Sequence, residues 1–322
     1  MDEFALADDA EDTIDRPWLE PTKQQLLTSI VANNLPHALL LHGSYAAGQR
    51  PLASWLAARL LCQRNIEQLQ PCGQCKACHL WAAQSHPDLV VIDTGDKAIS
   101  VNDIRIACQS LEKTAQLGHN KVVLINRAEL LTTAAANALL KTLEEPTLKS
   151  YLLLVCNHIE QLLPTILSRC AKVAVTPPTG PELANVASNK QAVHAFSTVS
   201  ELHELYDDNV FADKQQFVVD LQQFLQHFDN SNELAEQISL HQHGMRWLLS
   251  TFEAMYRYKA GWTQALASAD LVSIIEHYTE QQLFDCWTVC VSANKQLKTL
   301  SQANKTFTVE ALLVKIEQCL AQ

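Results

Sequence analysis

Five short apolar runs, at residues 38–42, 89–93, 122–126, 151–155 and 172–175, are spaced through the first half of the chain, with helical patterns between them. From about Pro51 the positions Leu52, Trp55, Leu56, Arg59 and Leu60 recur at three- and four-residue spacing, which predicts a helix with proline in its first turn, where no amide donor is needed. A second helical pattern covers 133–145 and is stopped by Pro146; a third covers 159–168. Short apolar strands alternating with helices predict a parallel sheet covered on both faces.

The pattern changes after Thr176. Pro177-Pro178-Thr179-Gly180 reads as a linker, and the rest of the chain is helical in period. Phe217, Leu221 and Phe224 form one apolar stripe; Leu283, Trp287 and Val291 form another; Val309, Leu312, Leu313, Ile316 and Leu320 give the last helix a third. The expected organisation is an acidic, disordered tail at 1–16, an α/β domain at 17–178, a small piece at 179–210 and an all-helical domain at 211–322.

Composition narrows the class. Apolar residues make up 48% of the 322 positions, yet no apolar run approaches the roughly 20 residues that span a bilayer, and no signal-peptide pattern opens the chain; a soluble cytoplasmic protein without membrane contact is expected. The net charge of −11 is unevenly spread: residues 1–16 hold seven acids and one base, 17–179 hold 11 acids and 14 bases, and 180–322 hold 17 acids and nine bases. No basic stripe of a stand-alone DNA binder emerges, so contact with DNA phosphates would be shared with partners.

A strand, then Gly43-Ser-Tyr-Ala-Ala-Gly48, then a helix has the layout of a phosphate-binding loop, whose amides and helix N-terminus cradle an anion. A working loop continues with lysine for the terminal phosphates and a hydroxyl for Mg²⁺; this chain has Gln49 and Arg50. The strand 122–126 should deliver an aspartate for the metal and a glutamate for the attacking water, but supplies Asn126 and Arg127. Glu129 is the one displaced acid available, two residues further on. Four required positions carry the wrong chemistry on an intact scaffold, and the chain is expected to bind no ATP.

Residues 134–146 read Ala-Ala-Ala-Asn-Ala-Leu-Leu-Lys-Thr-Leu-Glu-Glu-Pro, and 163–170 read Leu-Pro-Thr-Ile-Leu-Ser-Arg-Cys. Both segments resemble the bacterial clamp-loader AAA+ proteins, over roughly 17–320 and most closely over 36–176. The resemblance implies a five-stranded parallel AAA+ sheet, a lid at 179–210 and a C-terminal helical collar at 211–322. It implies a subunit that is not an enzyme by itself, working in a hetero-pentamer that loads a sliding clamp onto primed DNA, as part of a replicative polymerase assembly whose activity is nucleotidyl transfer. It implies that Arg169, within Ser168-Arg169-Cys170, is an arginine finger on the γ-phosphate of ATP held by a neighbouring ATPase subunit, a task suited to a planar, always-charged donor fork. The alternative for Arg169 is a cap on a helix C-terminus. The lid lacks the family's Gly-Ser-x-Arg start: Phe196-Ser-Thr-Val-Ser200 carries no arginine. The competing reading is an active AAA+ ATPase with an atypical nucleotide loop.

Cys72, Cys75 and Cys78 stand at two-residue intervals, with Cys62 ten positions upstream. Four thiolates suit a closed, structural Zn²⁺ site, and in the family a four-cysteine zinc module is inserted at this point, so one zinc per chain on Cys62, Cys72, Cys75 and Cys78 is expected. His79 as a ligand and a redox Cys-x-x-Cys pair are the alternatives. Cys108, Cys156, Cys170, Cys286, Cys290 and Cys319 are expected as small buried apolar residues. His86-Pro87-Asp88 is expected to be a turn into the second strand rather than a catalytic set.

Overall fold

The computed structural model describes residues 16–178, apart from 45, 65–66, 96 and 118–119, together with 183, 208–241, 243–262, 269–297 and 302–321. The expected 1–16 tail, save Arg16, and most of the expected lid lie outside these residues. The chain divides into two compact units, Met1–Pro178 and Thr179–Gln322.

In the first unit a 3₁₀ turn (Pro17–Leu19) leads into α1 (Glu20–Val31), β1 (Ala38–Gly43), α2 (Gln49–Leu61), α3 (Lys76–Ala82) and β2 (Leu89–Ile92). There follow α4 (Val101–Glu112), β3 (Lys121–Ile125), α5 (Thr133–Glu144), β4 (Ser150–Cys156), α6 (Pro164–Leu167) and β5 (Ala171–Val175). The five strands form one parallel sheet in the order β2-β3-β4-β1-β5, the AAA+-type sheet expected from the sequence. β3 is buried at every position and β1 along its apolar run, as strands covered on both faces must be. Alternation divides the faces: Ala38 and Leu40 of β1 pack with Ile104, Ala107 and Leu111 of α4 and Leu139 and Leu143 of α5. Leu39 and Leu41 point to the opposite face, where α2 lies.

α2 begins at Gln49, after the loop that follows β1, and is buried at 11 of its 13 positions, Arg59 included, so that it runs as a core rod. α5 is capped by Thr132 Oγ1, which accepts from the Ala135 amide at 3.2 Å, and ends just before Pro146. Ser100 and Asp103 form a capping box at the start of α4. The 159–168 pattern does not form one helix. It splits into a 3₁₀ turn (Ile159–Gln161) and the single turn of α6, because Pro164 has no amide with which to continue a helix from upstream. Asp88 is buried and accepts the Gln116 and Leu117 amides at 2.7 and 2.9 Å, while His86 Nδ1 accepts the Asp88 amide; these residues brace a turn.

The second unit contains α7 (Asp208–His227), α8 (Ser231–Leu240), α9 (Gly244–Lys259), α10 (Ala269–Ile275), α11 (Glu280–Leu297) and α12 (Gln302–Leu320). Its core gathers Phe217, Leu221 and Phe224 of α7, Trp247 and Phe252 of α9, and the full expected stripe of α12. On α11 the expected stripe is displaced. Leu283 is buried, but the buried face continues through Cys286, Cys290, Ala293 and Leu297, and Val291 is 44% exposed. Cys286 and Cys290 are thus core residues, as expected of small apolar thiols. No helix among the described residues is long and apolar enough to cross a membrane.

Candidate functional site

In a parallel sheet the carboxyl ends of all strands open on one edge, where ligands are bound. That edge collects the Gly43–Gln49 loop after β1, Asp93 after β2, Asn126 after β3 and Asn157 after β4. Both loop glycines are required. A Cβ on Gly43 would lie 2.6 Å from Val175 O, and Gly48 has φ +104° with a Cβ position 2.8 Å from Arg16 Cδ. The chain before α1 closes over the loop: Trp18 Nε1 donates to Ala47 O at 2.8 Å, and Leu19 is buried against Gly48.

Gln49 occupies the place of the expected lysine and turns its side chain into the loop. Its Nε2 donates to Gly43 O and Ser44 O, both at 3.0 Å, and to Asn157 Oδ1 at 2.7 Å. The residue is 3% exposed. A neutral amide satisfied by the loop's own carbonyls has no donor left to aim at a phosphate. Arg50 forms an ion pair with Asp93 at 3.0 Å, and Asn126 Nδ2 donates to the same Asp93 oxygen at 3.0 Å. Arg127 adopts a left-handed backbone (φ +53°), and its Nη1 donates to Gly95 O at 2.8 Å, so its charge is held on the loop after β2. Glu129, in the 3₁₀ turn Ala128–Leu130, accepts the Asn157 amide at 3.3 Å. Asp93 and Asn157 were not singled out in the sequence; being the first polar residues after β2 and β4 was the signal that could have found them.

Ser168-Arg169-Cys170 forms the turn between α6 and β5. Cys170 is buried in the sheet core, and burial pushes its thiol up to about 11. Ser168 Oγ donates to Thr165 O at 3.1 Å. Arg169 projects outward and then folds back: Nε donates to Glu144 Oε1 at 2.8 Å, Nη1 donates to Thr165 O at 3.1 Å and to Ser168 Oγ at 3.3 Å, and Nη2 also meets Glu144. The contact with Thr165 O is the helix-capping geometry that stands as the alternative to a finger.

The four thiols Cys62, Cys72, Cys75 and Cys78 converge, all Sγ atoms lying within 4.8 Å of one another. Cys72 and Cys78 are 3.9 Å apart and Cys75 and Cys78 3.5 Å, against the edge of about 3.8 Å in a tetrahedron with metal–sulfur bonds of about 2.3 Å. Cys62 comes from the end of α2, Cys75 caps α3 by accepting the Cys78 amide at 3.4 Å, and Gly73 takes the left-handed turn between Cys72 and Cys75. The apolar cluster here is small, with Ala77 and Leu117 beside the thiols. Burial raises the Cys72 thiol, but hydrogen bonds from the Gln74 and Cys75 amides and from neighbouring thiols outweigh it and bring it down to about 6; burial pushes Cys78 up. A divalent cation would hold all four as thiolates. The donor set and its closure fit zinc, with no position left for a substrate. His79 is exposed and outside the group.

The parallel sheet order, the loop after β1 and the Ser-Arg-Cys turn define an AAA+-type domain of the clamp-loader class. The family model described as "DNA polymerase III, delta subunit" matches residues 18–179, and the chain belongs to that family. Relatives named DNA polymerase III subunit delta′ include one from Pseudomonas aeruginosa, 45% identical over 162 residues, covering 49% of this chain and 48% of the relative. The one from Escherichia coli K12 is 39% identical over 164 residues, covering 50% and 49%. A DNA polymerase III subunit tau/gamma of Haemophilus influenzae is 34% identical over 145 residues, covering 45% of this chain and 21% of that protein. The chain spans about half the length of these delta′ relatives.

Proposed function

We propose that the chain is a δ′-type, non-catalytic subunit of the DNA polymerase III clamp loader, which loads the sliding clamp onto primed DNA. In this reading its partners are the ATPase subunits γ and τ and the δ subunit in a hetero-pentamer, and DNA is reached through the assembly. The chain turns over no nucleotide itself, and nucleotidyl transfer belongs to the polymerase it serves. Arg169 acts in trans on ATP held by a neighbouring ATPase subunit, zinc on the four cysteines is structural, and residues 211–322 supply the chain's share of a helical collar.

The observation that carries the non-catalytic part is Gln49. Where a nucleotide-binding loop needs a cation, this chain has an amide already bonded to the loop and to Asn157. The names of the relatives support the placement in the loader. The test is reconstitution. The purified chain should co-purify with the ATPase and δ subunits, show no micromolar Mg²⁺-dependent ATP binding alone, and, as Arg169→Ala, lower the DNA- and clamp-stimulated ATPase of the assembly. ATP turnover by the isolated chain would favour an active ATPase instead.

A further inference from the structure

The ion pair between Arg169 and Glu144 joins two segments 25 residues apart, the turn after α6 and the last residue of α5. Every guanidinium nitrogen of Arg169 has a partner on its own chain. The backbone around it is fixed, since Cys170 is buried in the core and Ser168 is tied to Thr165. Only the side chain is free to change direction. Glu144 is itself poorly placed on electrostatic grounds, being a carboxylate at a helix C-terminus, where the dipole favours cations. Among the described residues the partner of its carboxylate is Arg169.

From this geometry we infer that Glu144 is a positioning residue that holds Arg169 folded back against its own chain until an ATP phosphate replaces the carboxylate. The inference rests on the trans-acting role proposed for Arg169. The exchange swaps one oxyanion for another on the same donor fork, so no N–H is stranded while the arginine changes partner. The pair is suited to exchange because it is wet: the Arg169 side chain is 35% exposed and that of Glu144 51%. A buried pair would hold the arginine permanently, and a bare arginine would have to be ordered by the phosphate alone. The carboxylate thus sets a threshold that an ATP-loaded neighbour exceeds and an empty one cannot.

The test uses the full chain reconstituted with its partner subunits, in four forms: native, Glu144→Gln, Arg169→Ala and the double variant. ATPase is measured against ATP concentration, with the melting temperature of each chain measured alone. Glu144→Gln removes the charge while keeping the shape, and should lower the ATP concentration for half-maximal rate by about two- to five-fold, the range expected for an exposed ion pair. The maximal rate should stay near native, and the shift should vanish in the Arg169→Ala background. An unchanged or raised ATP requirement in Glu144→Gln, with Arg169→Ala still impaired, overturns the restraint alone. A shift that persists without Arg169 also overturns it, since Glu144 would then act by another route. Full activity in Arg169→Ala overturns the trans-acting role and this inference with it.

Discussion

The Gln49 amide donates to Asn157 Oδ1 across 2.7 Å, joining the first residue of α2 to the first residue after β4, 108 positions away. The bond spans the floor of the site, with Arg50, Asp93 and Asn126 forming a second link beside it. Gln49→Ala would leave the Gly43 and Ser44 carbonyls and Asn157 Oδ1 without this donor, at a cost of about 1–3 kcal/mol in chemical denaturation. Restoring only the two loop residues, as Gln49→Lys with Arg50→Thr, should not create micromolar ATP binding, because Asn126 still stands where a metal-binding carboxylate is needed. Calorimetric titration with Mg²⁺-ATP checks this; recovered binding would confine the defect to the loop.

Arg169→Lys separates charge from geometry. Lysine keeps the cation that suits the end of α6 but loses the planar fork, so the chain should melt within a few degrees of native, as expected when an exposed pair of about 0.2–1 kcal/mol is weakened. The reconstituted ATPase should nonetheless fall by about ten-fold or more, since a finger stabilises the transferring phosphoryl group through that fork. Native-like ATPase in the lysine variant would point to a charge effect alone.

For the thiol cluster, elemental analysis should give one zinc per chain. Cys75→Ser removes both a ligand and the cap of α3, and should lose the metal and lower the melting temperature by several degrees or more, as should a strong chelator on the native chain. Acidification should release the metal too, because protons compete for the thiolates. His79→Ala, exposed and outside the cluster, should keep native zinc content. A native protein purified free of metal would remove the assignment.

Two glycines offer a controlled pair. Gly48→Ala meets both a left-handed φ and the Arg16 and Leu19 side chains at 2.8 and 3.0 Å, and should cost about 2–3 kcal/mol. Gly73→Ala has φ +67° but open space around its Cβ, and should cost about 1 kcal/mol from backbone strain alone. Equal costs in thermal or denaturant unfolding would mean that the segment before α1 does not press on the loop.

Much of this was legible in the chain because it is encoded locally. Apolar runs bounded by polar residues gave the five strands, and two-residue cysteine spacing gave the thiol cluster, since both depend on neighbours in sequence. The partners of the loop residues were not legible. That Gln49 would find Asn157, and Arg50 find Asp93, depends on β1 lying beside β4 and on β2 reaching the same sheet edge, a consequence of strand order rather than of motif. Glu144 stood inside a recognised motif with no role attached, and only the return of the chain after α6 brings Arg169 to it. On α11 the stripe was displaced because Trp287 and Val291 were aligned with Leu283, although Cys286 and Cys290, themselves expected to be buried, are the residues that continue the buried face.

α2 has the loop at one end and Cys62 at the other, 13 residues or about 20 Å apart, with 11 of the 13 buried. A rod packed on every side cannot tilt at one end without moving at the other. The thiol cluster should therefore serve as a remote mounting for the sheet edge that carries the loop after β1, and its oxidation should be felt there as faster amide exchange at the loop.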